Sequence, residues 1–162
     1  MKLSNLLHKL PLFREYINYK DRELGVIFML HRVTPFENGK LFPNENMKIS
    51  PAFLEQTILE LRNKDYLFLS LDELYSMLRK EKFPHKKFAV FTLDDGYVDN
   101  FTNAYPIFEK HEVPFAIYIC TDFPDNKAVL WWYILEDLII QNDSIELSGG
   151  SVFNAHTKEE AL

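Results

Sequence analysis

Short apolar runs, each closed by a turn-forming or polar cluster, alternate along the chain with stretches whose apolar residues recur at helical spacing. Gly25 to Leu30 (GVIFML), Phe88 to Leu93 and Phe115 to Cys120 (FAIYIC) are continuous and rich in β-branched and aromatic residues. That pattern predicts strands buried on both faces rather than half-exposed ones. Leu67-Phe68-Leu69 is a shorter run of the same kind. Ser50-Pro51 supplies a helix start, with Ser as N-cap and Pro in the first turn, and Phe53, Leu54, Ile58 and Leu61 follow on one face. Ser70 and Glu73 form a capping box that opens a helix over Leu71 to Lys80. A further helix runs to about Lys110, capped by Asp99 or Asn103; Pro106 falls in its first turn only if it begins near Asn103. Leu130 to Ile140 (LWWYILEDLII) is apolar and helical in length. The order β, loop, α, β, α, β predicts parallel strands joined by crossover helices, an α/β fold.

Segment 31–49 has no clear periodicity and is rich in Pro, Asn and Gly, so it reads as a long loop. Loops of that length in compact domains are more often functional or mobile than neutral connectors, and its place after a strand sets it over the mouth of a site. Residues 1–24 read as a helical extension, with Leu3, Leu6, Leu7 and Leu10 on one side, and 25–162 as the folded domain. Thr157 to Glu160 is a second capping box just before the last residue, Leu162, so the chain reads as the N-terminal part of a longer protein.

Composition narrows the partners. Hydrophobic residues make up 47% and charged residues 26%, a globular balance, and the net charge of -6 comes without a Lys/Arg stripe. No nucleic-acid interface is expected. Nothing approaches the roughly 18 apolar residues needed to span a bilayer, and no signal peptide is evident, so no transmembrane segment and a cytoplasmic location are expected. The single cysteine, Cys120, excludes an internal disulfide and is read as a small core residue.

The candidate chemistry lies at Asp94-Asp95-Gly96, the end of the Phe88 run. In α/β folds ligands bind at the C-terminal ends of strands. Two adjacent carboxylates in a confined site need a cation, and Gly96 loosens the turn that carries them. If the Gly25 and Phe88 strands are parallel, His31 emerges beside the pair; the alternative, equally open, is that His31 only hydrogen-bonds the loop backbone. Asp122 ends the Phe115 strand on the same side, where a turn-capping role is favoured. Trp131 and Trp132 suit a sugar-stacking platform, with burial in the core favoured over it. His8, His85 and His111 fall outside the strand ends.

Thr92-Leu93-Asp94-Asp95-Gly96 with Tyr97-Val98-Asp99-Asn100, continued by Tyr105-Pro106-Ile107-Phe108 and Val113-Pro114-Phe115-Ala116, resembles the first motif and following strand of polysaccharide deacetylases of the NodB-homology, carbohydrate esterase 4 type. His31-Arg32-Val33 is similar to the His-Arg segment of some of its subgroups. The resemblance implies a distorted β/α barrel, incomplete in this chain, and hydrolysis of N-acetyl or O-acetyl groups of a glycan. It implies Asp94 as general base and Asp95 as ligand of a divalent metal, zinc first, with cobalt, nickel or iron as alternatives. His31 and Tyr97 are the expected substrate-binding residues, and an N-acetylated glycan the expected partner. Leu93 and Tyr97 depart from the commonest motif. The family's second motif, His-Ser/Thr-x-x-His, is absent: His156-Thr157 begins it, but Glu160 stands where the second His belongs, so the His ligands are expected downstream. The chain alone is therefore not expected to hydrolyse substrate. A carbohydrate-binding protein that keeps the fold is the rival reading, and a phosphohydrolase with Asp94 as nucleophile, lacking a phosphate-cradling loop, a more distant one.

Overall fold

The computed structural model describes residues 24–154; the N-terminal extension with His8, and His156 with the Thr157 capping box, lie outside them. In chain order the elements are β1 (Gly25–Leu30), β2 (Arg32–Val33), α1 (Phe42–Glu45), β3 (Lys48–Ile49), α2 (Pro51–Asn63), β4 (Leu67–Phe68), α3 (Leu71–Lys80) and β5 (Phe88–Asp95). A π-helical turn (Asn100–Ala104) then leads into α4 (Tyr105–Lys110), followed by β6 (Phe115–Ile119), α5 (Trp131–Gln141) and a hairpin of β7 (Ser144–Glu146) and β8 (Val152–Asn154).

Strand β5 is the axis of a parallel sheet. β1 pairs with it from Gly25↔Phe88 to Leu30↔Leu93, while its other edge is shared, β4 pairing with Phe88 and Ala89 and β6 with Phe91 to Asp95. The predicted parallel α/β order is therefore observed. Phe88 to Leu93 of β5 are all buried, as their unbroken apolar run predicts. Ala89, Phe91 and Leu93 pack with Leu54 and Ile58 of α2, Phe108 of α4 and Val33; Phe88 and Val90 pack with Leu69 and with Leu74 of α3. Phe28 and Phe108 flank Phe91 with ring centroids 4.9 and 5.3 Å away, and Phe115 stacks on Phe108 at 4.6 Å.

β1 departs from the double-sided burial expected of it. Its residues alternate, and Ile27 and Met29 are 54% and 66% exposed. The cause is topological: α3 covers only the lower part of the Phe88–Val90 face, so the upper part of that face, beside Thr92 and Asp94, is open. Cys120 is exposed at the rim of the same opening rather than buried.

Segment 31–49 is not a structureless loop. β2 and β3 pair in parallel, Arg32 with Lys48 and Val33 with Ile49, and α1 lies between them. Charge organises it: buried Lys48 donates to Glu45 at 2.5 Å and to Glu37 at 3.0 Å. Burial opposes the ammonium, but these carboxylates outweigh it and raise its pKa. The predicted caps of α2 and α3 are both present, Ser50 accepting from the Phe53 N–H and Ser70 exchanging bonds with Glu73.

Phe91→Ala should lower unfolding free energy by about 3–5 kcal/mol, since the cavity opens between two covered layers. Tyr75→Ala, at a site 63% exposed, should stay within about 0.5 kcal/mol. Urea denaturation of the two variants checks the contrast, and equal losses would contradict the layer assignment.

Candidate functional site

Strand β5 continues through both aspartates, two residues past the expected end at Leu93. Asp95 is forced to φ 72° and Gly96 to φ 76°. A left-handed conformation at a non-glycine residue is uncommon and persists where the surroundings over-determine it. Here β6 supplies that constraint: the Cys120 N–H reaches the Asp95 carbonyl at 3.4 Å. The φ of Gly96 is one that favours glycine, and a Cβ there would also lie a tight 3.2 Å from the Ile119 side chain.

The bend separates the two carboxylates. Asp94 follows the alternation of β5 and opens with Thr92 into a broad groove of about 660 Å³ beside Ile27, Met29 and Tyr118. Asp95 lines that groove and also a more enclosed cavity of about 330 Å³ on the other side, with His31, Arg32 and Tyr97. The wall of that cavity is completed by Asn44 and Met47 from the 31–49 segment and by Trp131, Trp132 and Tyr133 from α5. The structure thus brings His31, Tyr97 and Asp95 together and sets Asp94 around the corner, in contact with the shared rim.

His31 lines the cavity, and its backbone carbonyl accepts from Asn100 Nδ2 at 2.8 Å. That bond belongs to a larger device. The π-helical turn aims three side chains at the β1–β2 bend: Asn100 at the His31 carbonyl, Asp99 Oδ1 at the Val33 N–H (2.8 Å) and Asn103 Nδ2 at the Val33 carbonyl (2.8 Å). Asp99 and Asn103, expected as helix caps, are therefore spent on the neighbouring strand instead, and neither end of that turn has a side-chain cap. π-Turns of this kind are frequent at functional sites.

Asp99 Oδ2 also holds Arg32, at 2.9 Å to Nε and 2.8 Å to Nη2. Arg32 Nη1 donates to the Tyr133 hydroxyl at 2.7 Å, and the guanidinium lies 4.8 Å from the centroid of the Tyr97 ring. Burial works against the Arg32 charge, but the Asp99 and Tyr133 bonds prevail and raise its pKa. The Tyr97 phenol is held well above the ordinary tyrosine range, chiefly by burial and then by Tyr133 and the Asp95 charge. It stays protonated at neutral pH and is a hydrogen-bond donor, not a base.

Trp131 and Trp132 do not fill the core: Trp131 is 62% exposed, and both face the cavity. Helix α5 is anchored by Glu136, a carboxylate only 2% exposed, which accepts from the Leu41 N–H at 2.7 Å and lies 3.6 Å from Lys40. Asp122 sits exposed in the turn after β6, where its carbonyl accepts from Lys127 and Ala128. His111 pairs with Glu55 at 2.9 Å and His85 is exposed in a bend, so neither joins the site. Among the described residues no group of three or more His, Cys, Asp or Glu comes together that could hold a metal ion. Asp95 is the one described residue expected as a metal ligand, and the described residues do not complete a metal centre. Nor, among them, is any helix long and apolar enough to cross a membrane.

No family model matches the sequence. Individual relatives do. YxkH of Bacillus subtilis, named as a polysaccharide deacetylase, is 36% identical over 101 residues, which is 62% of this chain and 36% of that protein. The poly-beta-1,6-N-acetyl-D-glucosamine N-deacetylase of Staphylococcus aureus is 34% identical over 77 residues, 48% of this chain and 26% of the relative. Among solved structures, the Streptococcus pyogenes deacetylase PplD in complex with acetate superposes with a TM-score of 0.54 at 25% identity, over 65% of this chain and 46% of its own. IcaB from Ammonifex degensii shares the fold, with a TM-score of 0.50 at 24% identity over 58% of this chain and 37% of that one. The class is a mixed α/β fold with a strand-end acidic pair. The chain is related to the polysaccharide deacetylases, and its matches span 36% and 26% of the length of these two curated relatives.

Asp99→Ala should cost about 3 kcal/mol, because it leaves Arg32 and the Val33 N–H without their acceptor in a partly dry site. Thermal unfolding checks this. Tyr97 supplies a pH test of the same region. A folded pKa above the unfolded value near 10 gives stability that is intact below pH 10 and declines as pH rises further. Tyr97→Phe should flatten that alkaline decline, and an unchanged slope would contradict the burial of the phenol.

Proposed function

We propose that the protein is a glycan deacetylase and that this chain carries its N-terminal catalytic segment, one arc of a distorted β/α barrel, with Asp94 as general base. The observation that supports this most is the bend at Asp95–Gly96, which leaves Asp94 on the open groove and brings Asp95 to the rim that groove shares with the enclosed cavity, an arrangement suited to separate roles. The acetylated sugar sits where the hollows meet, its acetyl group at the Asp95 rim. Asp94, on the open groove side with access to water, takes a proton as the water oxygen bonds to the acetyl carbon. The C–N bond then breaks, acetate forms, and the proton returns to the leaving amine. Tyr97, held protonated, is suited to donate to the oxygen on which negative charge develops. His31 and Arg32 form the wall that orients the ring.

Asp95 is proposed as one ligand of a divalent ion, zinc first, whose other ligands lie outside the described residues; no step above is routed through it. The substrate is proposed as an N-acetylated glycan, in keeping with the Staphylococcus aureus relative, whose name specifies poly-N-acetylglucosamine. The absence of a three-ligand cluster among the described residues favours, as a second reading, a carbohydrate-binding protein without catalysis.

Acetate release from N-acetylated β-1,6-glucosamine oligomers by the full-length protein separates the two. Asp94→Asn, which keeps the shape of the side chain, should lower it by at least about 100-fold. Full activity in that variant would remove Asp94 from the mechanism, and no release by the unaltered protein would favour the binder. Zinc titration of the 162-residue chain should show only weak binding, reduced further by Asp95→Asn; a tight complex would contradict the single-ligand assignment.

A further inference from the structure

Helix α5 begins at the cavity, and its first turn is fixed from several directions. Asn44 Nδ2 donates to the Trp132 carbonyl at 3.3 Å, the Tyr133 hydroxyl accepts from Arg32, and Glu136 one turn later holds the Leu41 N–H. Trp132 and Tyr133 are half-buried against Tyr97 and Arg32. Trp131 is treated differently. It stands at the rim of the same cavity, its ring at 84° to that of Trp132 with centroids 5.7 Å apart, and 62% of it is left to solvent.

An indole held at a cavity mouth by a rigid helix start, yet left uncovered, has the form of a recognition platform. The ligand it suits has an apolar face for the ring and a polar edge for the guanidinium, phenols and carboxylate farther in, and a pyranose offers both. A sugar whose acetyl group lies at Asp95 occupies the inner part of the cavity. We propose that Trp131 stacks on the next sugar ring along the chain, so that the site takes an oligosaccharide or polymer in preference to a single sugar. This rests on the reading of the cavity as a glycan site and adds a specificity-determining residue to it.

Calorimetric titration of the full chain with N-acetylglucosamine and with its β-1,6-linked tetramer tests the assignment. The unaltered protein should bind the tetramer more tightly than the monomer. Trp131→Ala should weaken tetramer binding by roughly three- to tenfold, more than it weakens monomer binding, and Trp131→Phe should restore most of the loss. Circular dichroism matching the unaltered protein establishes that the variants are folded, as expected for a side chain this exposed. Tetramer affinity unchanged in Trp131→Ala would overturn the platform while leaving the glycan site intact. An unaltered protein that binds neither sugar would overturn the glycan reading itself, and the platform with it.

Discussion

One buried carboxylate organises the site. Asp99 is 4% exposed and offers one oxygen to the Val33 N–H and the other to Arg32. A charged group so far from water is tolerable only when paired and hydrogen-bonded, and here both oxygens are used. The pairing has geometric consequences. It ties the turn after β5 to the turn after β1, and through Arg32 it reaches Tyr133 on α5. Elements distant in sequence are thereby brought around one hollow, with the Tyr97 ring beneath the guanidinium.

The second constraint is the close passage of β6 beside Gly96. A side chain at position 96 would crowd Ile119, and the backbone turns in the left-handed region over Asp95 and Gly96 together. Without that bend the alternation of β5 would send Asp95 toward the helix-covered layer with Phe91 and Leu93. With it, Asp95 joins the rim shared by the groove and the cavity. The left-handed conformation at Asp95 and the separation of the two carboxylates thus belong to the same bend.

Much of the scaffold was legible because it depends on local signals. The continuous run Phe88 to Leu93 reports a strand covered on both faces, and Ser50 and Ser70 report helix starts. Asp94-Asp95-Gly96 was recognisable as a strand-end pair. What was not legible depends on long-range pairing of charged groups. Glu136 and Asp99 are buried against partners far away in the chain, Leu41 and Arg32, and Lys48 is buried against Glu45 and Glu37 within segment 31–49, which forms strands and a helix where the sequence reads as a loop. Trp131 and Trp132 have the apolar character of core residues, and only the placement of α5 at the cavity shows otherwise. The exposed face of β1 escaped for a related reason: an apolar strand does not reveal whether a neighbouring layer extends over its whole length.

The central claim is that a glycan lies across the Asp95 rim, with Asp94 on one side of the acetyl group and the His31–Tyr97 cavity on the other. A crystal structure of the full-length Asp94→Asn protein soaked with a β-1,6-linked N-acetylglucosamine tetramer tests it most directly. The account predicts an acetamide group within hydrogen-bond reach of the side chain at position 94 and the sugar ring in the cavity beside Tyr97. Sugar density confined to another surface, with the Asp95 rim free, would contradict it.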